Sequence, residues 1–309
     1  MLASASGHRI GEVARLTGLS VDTLRVWERR YGFPSPSRAR SGVRLFAEDD
    51  VTRLLLIQRA LLRGFRPGEV VAKATDELTR ILEAAPETPK AVRRAVSPRV
   101  EALLDDVTRY RLGSLRERLA EAAQTLGAAG FVREVAGPLL DEVGEAWACG
   151  AIDVRQEHLA SEELSLRLRV LLAAAPTDAE APSVLLAALS GERHGLGLEM
   201  AAVDLASRGV TPRLLGTDTP PRQIVEAALA LGVDAVGISL PTGTDARAAV
   251  SALRWISEWL PDSIALWLGG RACDRIPCPP RAILLRGWAQ VDQAVDGLQA
   301  IFGAGSAER

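Results

Sequence analysis

The run Val184-Leu185-Leu186-Ala187-Ala188-Leu189 passes directly into Ser190-Gly191-Glu192-Arg193-His194-Gly195-Leu196-Gly197. A short, continuous apolar run followed by a glycine-rich turn reads as a strand. Further apolar runs at 213–215, 235–240, 264–268 and 282–285 alternate with helical stretches at 197–208, 221–231, 246–260 and 290–302. Five strands with intervening helices predict a doubly wound, Rossmann-like parallel α/β domain over residues 183–303. Glu192 and His194 fall in the turn that leaves its first strand.

Upstream the period is helical. Residues 98–176 carry four helical segments separated by Gly113, Gly127 with Gly130, and Gly150, the pattern of a small four-helix bundle. Pro86, Pro89 and Pro98 mark a linker, assigned to 79–97. Residues 1–78 form a further domain. Its first helix, 10–16, stops at Gly18, and Ser20 caps a second, 21–31, that ends at Gly32. Val21, Leu24 and Trp27 are spaced to face a core, which leaves Thr23, Arg25, Glu28, Arg29 and Arg30 largely off that face. A polar turn over 38–42, a short strand over 43–46 and a helix over 51–63 follow. The fold class is thus multidomain α plus α/β.

Charge divides along the same lines. Residues 1–75 hold 13 Arg/Lys against 7 Asp/Glu, a net of +6, whereas residues 76–309 hold 24 against 32, a net of −8. A basic head on an acidic body fits a phosphate-contacting module joined to a part that does not touch nucleic acid. Cys149, Cys273 and Cys278 are isolated thiols without metal-site spacing, which points to a reducing compartment. No signal peptide is visible and no apolar run is long enough for a bilayer, so a cytoplasmic protein with no membrane partner is expected.

The N-terminal segment resembles the MerR-family winged helix-turn-helix. The likeness rests on Trp27-Glu28-Arg29-Arg30-Tyr31-Gly32-Phe33-Pro34 and on Gly42-Val43-Arg44-Leu45-Phe46. It implies double-stranded operator DNA as a partner. Thr23, Arg25, Arg29, Arg30 and Tyr31 on or beside the second helix would then read a major groove, and Arg38, Arg40 and Arg44 in the wing would meet phosphates.

The α/β segment resembles the cobalamin-binding domain of corrinoid methyltransferase partners and B12-dependent regulators. That family carries Asp-x-His-x-x-Gly after its first strand, and this chain has Glu192-x-His194-x-x-Gly197, one methylene longer at the acid. The resemblance makes His194 the lower axial ligand of cobalt, with Glu192 orienting its ring. It also places Ser239, followed by Leu240-Pro241 as a partial form of the family's Ser-x-Leu, beside the nucleotide tail. Gly269 and Gly270 would make room for the tail's base. The helical segment is similar to the cap of the same regulators, whose Trp-x9-Glu-His stands here as Trp147, Glu157 and His158. Trp147 would cover the upper corrin face, and Glu157 and His158 would meet an adenosyl group.

Together these likenesses imply a relative of the B12-dependent, light-responsive repressors of carotenoid genes, not an enzyme. Adenosylcobalamin or methylcobalamin bound between bundle and α/β domain would control oligomeric state and DNA affinity. The prolines interrupt the helix through which MerR dimers ordinarily pair, so self-association is expected through the cofactor-binding half. One departure bears on light. The light-sensing members carry a histidine directly after the tryptophan, where this chain has Ala148. A bis-histidine photoproduct is therefore not expected. A corrinoid methyl carrier, and a regulator whose α/β domain binds a protein or another ligand, remain alternatives.

Overall fold

The computed structural model describes residues 7–38, 44–62, 65, 67–84, 96–148, 151–176, 178, 180–241 and 244–307. By internal contacts the chain falls into two units: Met1–Leu115 with Pro138–Ala160, and Arg116–Gly137 with Ser161–Arg309. Helices α7 (Leu112–Phe131) and α9 (Val154–Ala173) each contribute to both. The helical stretch expected as one separate domain over 98–176 is thus shared between the units.

The first unit opens with α1 (Ile10–Thr17) and α2 (Val21–Tyr31). Gly18 and Gly32 end these helices at φ 71° and 70°, a left-handed conformation that glycine adopts without a Cβ penalty. Strands β1 (Ser37–Arg38) and β2 (Arg44–Leu45) pair antiparallel, and Phe46 bridges back to His8. Residues 39–43, and with them Arg40, Gly42 and Val43, lie outside the described residues. Helices α3 (Glu48–Leu62), α4 (Pro67–Val70) and α5 (Thr75–Ala84) complete this part. Leu24, Trp27, Phe46, Leu54, Ile57 and Leu78 form its buried centre. Leu78 and Leu82 sit four residues apart on α5 and both enter that core, so the linker begins later than residue 79. Residues 85–95 lie outside the described residues.

Thr23 is buried at 1% exposure: its backbone N–H donates to the Ser20 cap and its hydroxyl shares a hydrogen bond with Ser20. It serves the helix start and is not on the outer face. Val26 is buried, whereas Val21, at the first helical position, is only half-buried and does not join the core as its spacing predicts.

Helices α6 (Pro98–Thr108) and α8 (Gly137–Ala148) also belong to the first unit, α8 from Pro138 onward. The break expected at Gly127 is a kink inside α7, with φ 69° at that residue. A π-helical turn over Val132–Ala136 joins α7 to α8. Pro138 lacks the N–H that would bond the Glu134 carbonyl, which is where the helical ladder widens.

In the second unit, β3 (Ser183–Leu189), β4 (Thr211–Thr219), β5 (Ala235–Ser239), β6 (Ala265–Gly269) and β7 (Ile283–Leu285) form one parallel sheet in the order β4-β3-β5-β6-β7. Successive side chains of β3 serve opposite cores. Leu185, Ala187 and Leu189 pack with α11 (Pro221–Leu231) and α12 (Ala246–Trp259). Val184, Leu186 and Ala188 pack with α10 (Leu196–Ala206) and α13 (Trp288–Ala307). Both faces are covered, as the unbroken apolar run requires. The long edge strand β4 slips register twice against β3 and holds Gly216 at φ 103° and Asp218 at φ 53°.

Arg133, on the π turn, sits at the centre of an ionic cluster in this unit. Its Nε donates to Asp204 Oδ1 at 2.7 Å and its terminal nitrogens to Asp204 at 3.1 Å and Asp292 at 2.7 Å and 3.2 Å. Asp204, on α10, is completely buried. Hydrogen bonds from Arg133 hold the Asp292 carboxyl below its ordinary value. Arg208 reaches Asp292 at 2.7 Å, and the Arg133 guanidinium lies 5.0 Å from the Trp288 ring centroid.

Candidate functional site

In an open parallel sheet, ligands bind beyond the carboxyl ends of the strands where the strand order reverses. Here that point lies between β3, which runs on to β4 on one side, and β5 on the other. Glu192 and His194 leave β3, and Ser239 ends β5. A Cβ built on Gly197 would lie 3.4 Å from Ser239 Oγ, so the fold places these two residues together.

The Glu192–His194 pair is locally fixed. Glu192 is 8% exposed, and its Oε1 accepts from the His194 backbone N–H at 3.0 Å and lies 2.5 Å from His194 Nδ1. Burial alone would raise the Glu192 carboxyl, but the side-chain and backbone hydrogen bonds from His194 outweigh it and hold the group below its ordinary value. An ionised carboxylate accepts only, so Nδ1 carries a proton and Nε2 is the nitrogen turned away from Glu192. The His194 side chain is 71% exposed. A buried acid thus orients an outward imidazole, the arrangement of a metal-ligating histidine and its supporting carboxylate. The longer glutamate arm brings its carboxylate to Nδ1.

Two residues that the sequence did not single out support this loop. Asp218 accepts from the Gly191 backbone N–H at 2.7 Å, and its own N–H donates to the Glu192 carbonyl at 2.8 Å. Thr244 places its hydroxyl 3.5 Å from Glu192 Oε2 while donating to the Pro241 carbonyl. The two glycines after β6 differ in their reasons. Gly270 has φ 109°, and a Cβ there would lie 2.4 Å from the Leu240 carbonyl oxygen, so close backbone approach already demands glycine. Gly269 would bring a Cβ only into ordinary contact with Leu285.

Glu157 and His158 lie in the first turn of α9, which has a reciprocal cap. Asp153 Oδ1 accepts from the N–H groups of Arg155 and Gln156, and Gln156 Oε1 accepts from the Asp153 N–H at 2.8 Å. Gln156 also donates to the Thr108 carbonyl at 2.7 Å, which ties the start of α9 to α6. His158 Nδ1 lies 2.6 Å from Glu157 Oε2, with His158 73% exposed. The Arg155 side chain, against a desolvation that opposes it and with backbone donors adding, lowers the Asp153 carboxyl to about 2. A depressed carboxyl stabilises the fold above its unfolded value, and the contribution disappears as pH falls through the folded one. The α9 cap is therefore expected to persist down to about pH 2. An NMR titration of the Asp153 carboxyl with an unperturbed midpoint of about 4 would contradict this.

Trp147, on the last turn of α8, is half-buried and packs against the hydrophobic core of the first unit. Among the arginines expected on the outer face of α2, Arg25 and Arg29 are exposed and Arg30 is half-buried. Arg44 is exposed and pairs with Glu28 at 2.8 Å. Tyr31 is half-buried against the core, with the Arg30 guanidinium 5.2 Å from its ring centroid. Arg38 is in β1. Arg40 lies outside the described residues.

The described residues contain no group of three or more His, Cys, Asp or Glu side chains able to hold a bare metal ion. No described helix is long and apolar enough to cross a membrane. Cys273 and Cys278 are free thiols pushed up by burial, Cys273 to about 11.

Residues 8–75 match the MerR HTH family of regulatory proteins, and residues 99–172 match the B12 binding domain. The chain belongs to the family of helix-turn-helix transcriptional regulators in which a MerR-type head is joined to a B12-binding domain. It is 35% identical over 269 residues to the HTH-type transcriptional repressor CarH of Myxococcus xanthus, across 86% of this chain and 89% of that one. It is 32% identical over 236 residues to the repressor CarA of the same organism, across 75% of each. Among solved structures it is similar to the monomethylamine corrinoid protein of Methanosarcina barkeri, at 18% identity and a TM-score of 0.49, covering 63% of this chain and 96% of that one.

Proposed function

We propose that the chain is a cytoplasmic transcriptional repressor whose grip on operator DNA is set by bound cobalamin. The observation that carries the cofactor half is the buried Glu192 holding an exposed His194 at the reversal point of the sheet. His194 Nε2 would be the lower axial donor, Glu192 would orient the ring, and Gly197, Ser239, Gly269 and Gly270 would line the tail. Trp147, Glu157 and His158 would serve the upper side. When bound, cobalamin supplies a cobalt whose upper ligand can change, and with it the preferred arrangement of the protein around it. We assign the DNA-contacting part to residues up to Ala84, the upper-side helices to 98–176 and the α/β part to 183–303. Self-association would run through the cofactor-binding half. The role is regulatory rather than catalytic.

An absorption spectrum of the full chain purified after incubation with adenosylcobalamin in the dark tests the cofactor reading. One corrinoid per chain with a histidine-coordinated spectrum is expected, and a colourless protein would refute it. For the DNA half, Arg25, Arg29 and Arg44 are the exposed candidates. Arg29→Ala is expected to weaken operator binding by about 1–3 kcal/mol if the side chain reads a base. Unchanged binding would remove Arg29 from the contact set.

A further inference from the structure

Arg30 is drawn to a carboxylate of its own chain. Its terminal nitrogen stands 3.5 Å from Glu145 Oε1 on α8, and the two side chains are 21% and 18% exposed. Two residues further along α8, Trp147 packs on the core that α2 helps to build. Helix α8 carries three carboxylates, Asp141, Glu142 and Glu145, and no basic residue, whereas the stretch it meets has the chain's positive excess. An acidic helix seated at the end of a basic, DNA-facing helix offers Arg30 what a phosphate offers.

The contact is built to give way. Arg30 Nε and Glu145 Oε2 are both buried and have no hydrogen-bond partner among the described residues. An ion pair that is long and leaves a donor and an acceptor dry recovers little of its desolvation cost. DNA offers the same guanidinium a fully hydrogen-bonded anion.

We infer that α8 latches α2 in the cobalamin-free chain through Glu145 on Arg30 and Trp147 on the core beneath, and that cobalamin releases the latch by claiming Trp147. The second half rests on the upper-side role given to Trp147 above. On that reading Trp147 serves either the core or the ligand, so a ligand that binds only the unlatched chain raises the fraction able to take DNA.

The test uses the full chain, a mixed-sequence DNA duplex at low salt, and adenosylcobalamin in the dark. Without cobalamin, Glu145→Gln and Trp147→Ala should each bind the duplex at least about threefold more tightly than the parent. That gain corresponds to a latched state holding most of the population. Trp147→Ala leaves the charge unchanged, so a gain there is not a simple loss of repulsion. Adding Arg30→Ala to Glu145→Gln should cancel the gain. With cobalamin, the parent should rise to the level of Glu145→Gln. Parent-like binding by both single variants in the absence of cobalamin would overturn the latch. A gain in the variants with no rise of the loaded parent would overturn the release. If the parent takes up no cobalamin, the reading of the cofactor site fails, and the cobalamin-free comparison still decides the latch.

Discussion

Replacing His194 by alanine is expected to remove histidine coordination from the bound corrinoid and to weaken its retention by on the order of 100-fold or more. Loss of a supporting residue around a metal ligand typically costs about 10–100-fold, and the ligand itself contributes at least as much. The local fold should survive. His194 is exposed and lies in a turn before α10, and the sheet cores on either side do not include it. Glu192→Gln is the milder companion: it keeps the shape but trades the charged acceptor for a neutral one, so His194 is oriented less firmly. Corrinoid content and spectrum of dark-purified protein report both changes. A His194→Ala protein with the parent's spectrum and stoichiometry would show that cobalt takes its lower ligand elsewhere.

The second large effect concerns stability. Arg133→Met is expected to cost about 3–5 kcal/mol, because it leaves the carboxylate of Asp204 buried without its partner. Asp204 has no exposure at all, and the guanidinium is held on it by two hydrogen bonds of 2.7 and 3.1 Å. Arg133 is itself a quarter exposed, which places the loss toward the lower end of that range. Urea denaturation of the full chain reads it, and a loss below about 1 kcal/mol, the scale of a surface ion pair, would mean that the cluster is ornamental. Replacing Asp204 by leucine in the same background should recover much of the loss, since the penalty lies in the orphaned charge.

Much of this architecture is legible in the sequence, and the reason is periodicity. The unbroken apolar run at 184–189 is short and stands in a chain whose apolar runs alternate regularly with helical stretches, which marks it as a strand, and all five strands lie where such runs occur. Helix ends at Gly18 and Gly32 follow from the left-handed conformation that glycine accepts. Other features leave no periodic signal. Thr23 looks like an outer-face residue until Ser20 is seen to draw it into the cap. Leu78 and Leu82 extend the first core beyond residue 79 because one i, i+4 pair is a faint signal beside a proline-rich stretch. Asp218 and Thr244 act on the Glu192 loop from 26 and 52 residues away, and single polar residues on loops announce no partner at that separation. The seat of Trp147 on the first core is equally silent in the sequence, since its motif describes a different neighbour.

The two borders of the sheet carry a last consequence. On one side β4 is long but interrupted by two slips of register and two residues at positive φ, and on the other β7 is only three residues. Neither presents the straight row of donors and acceptors that invites another chain to continue a sheet. Strand-by-strand growth, which has no natural end, is therefore disfavoured at either border of the sheet. What the domain offers a partner is side-chain surface, and surfaces of that kind favour closed, countable contacts over open-ended ones.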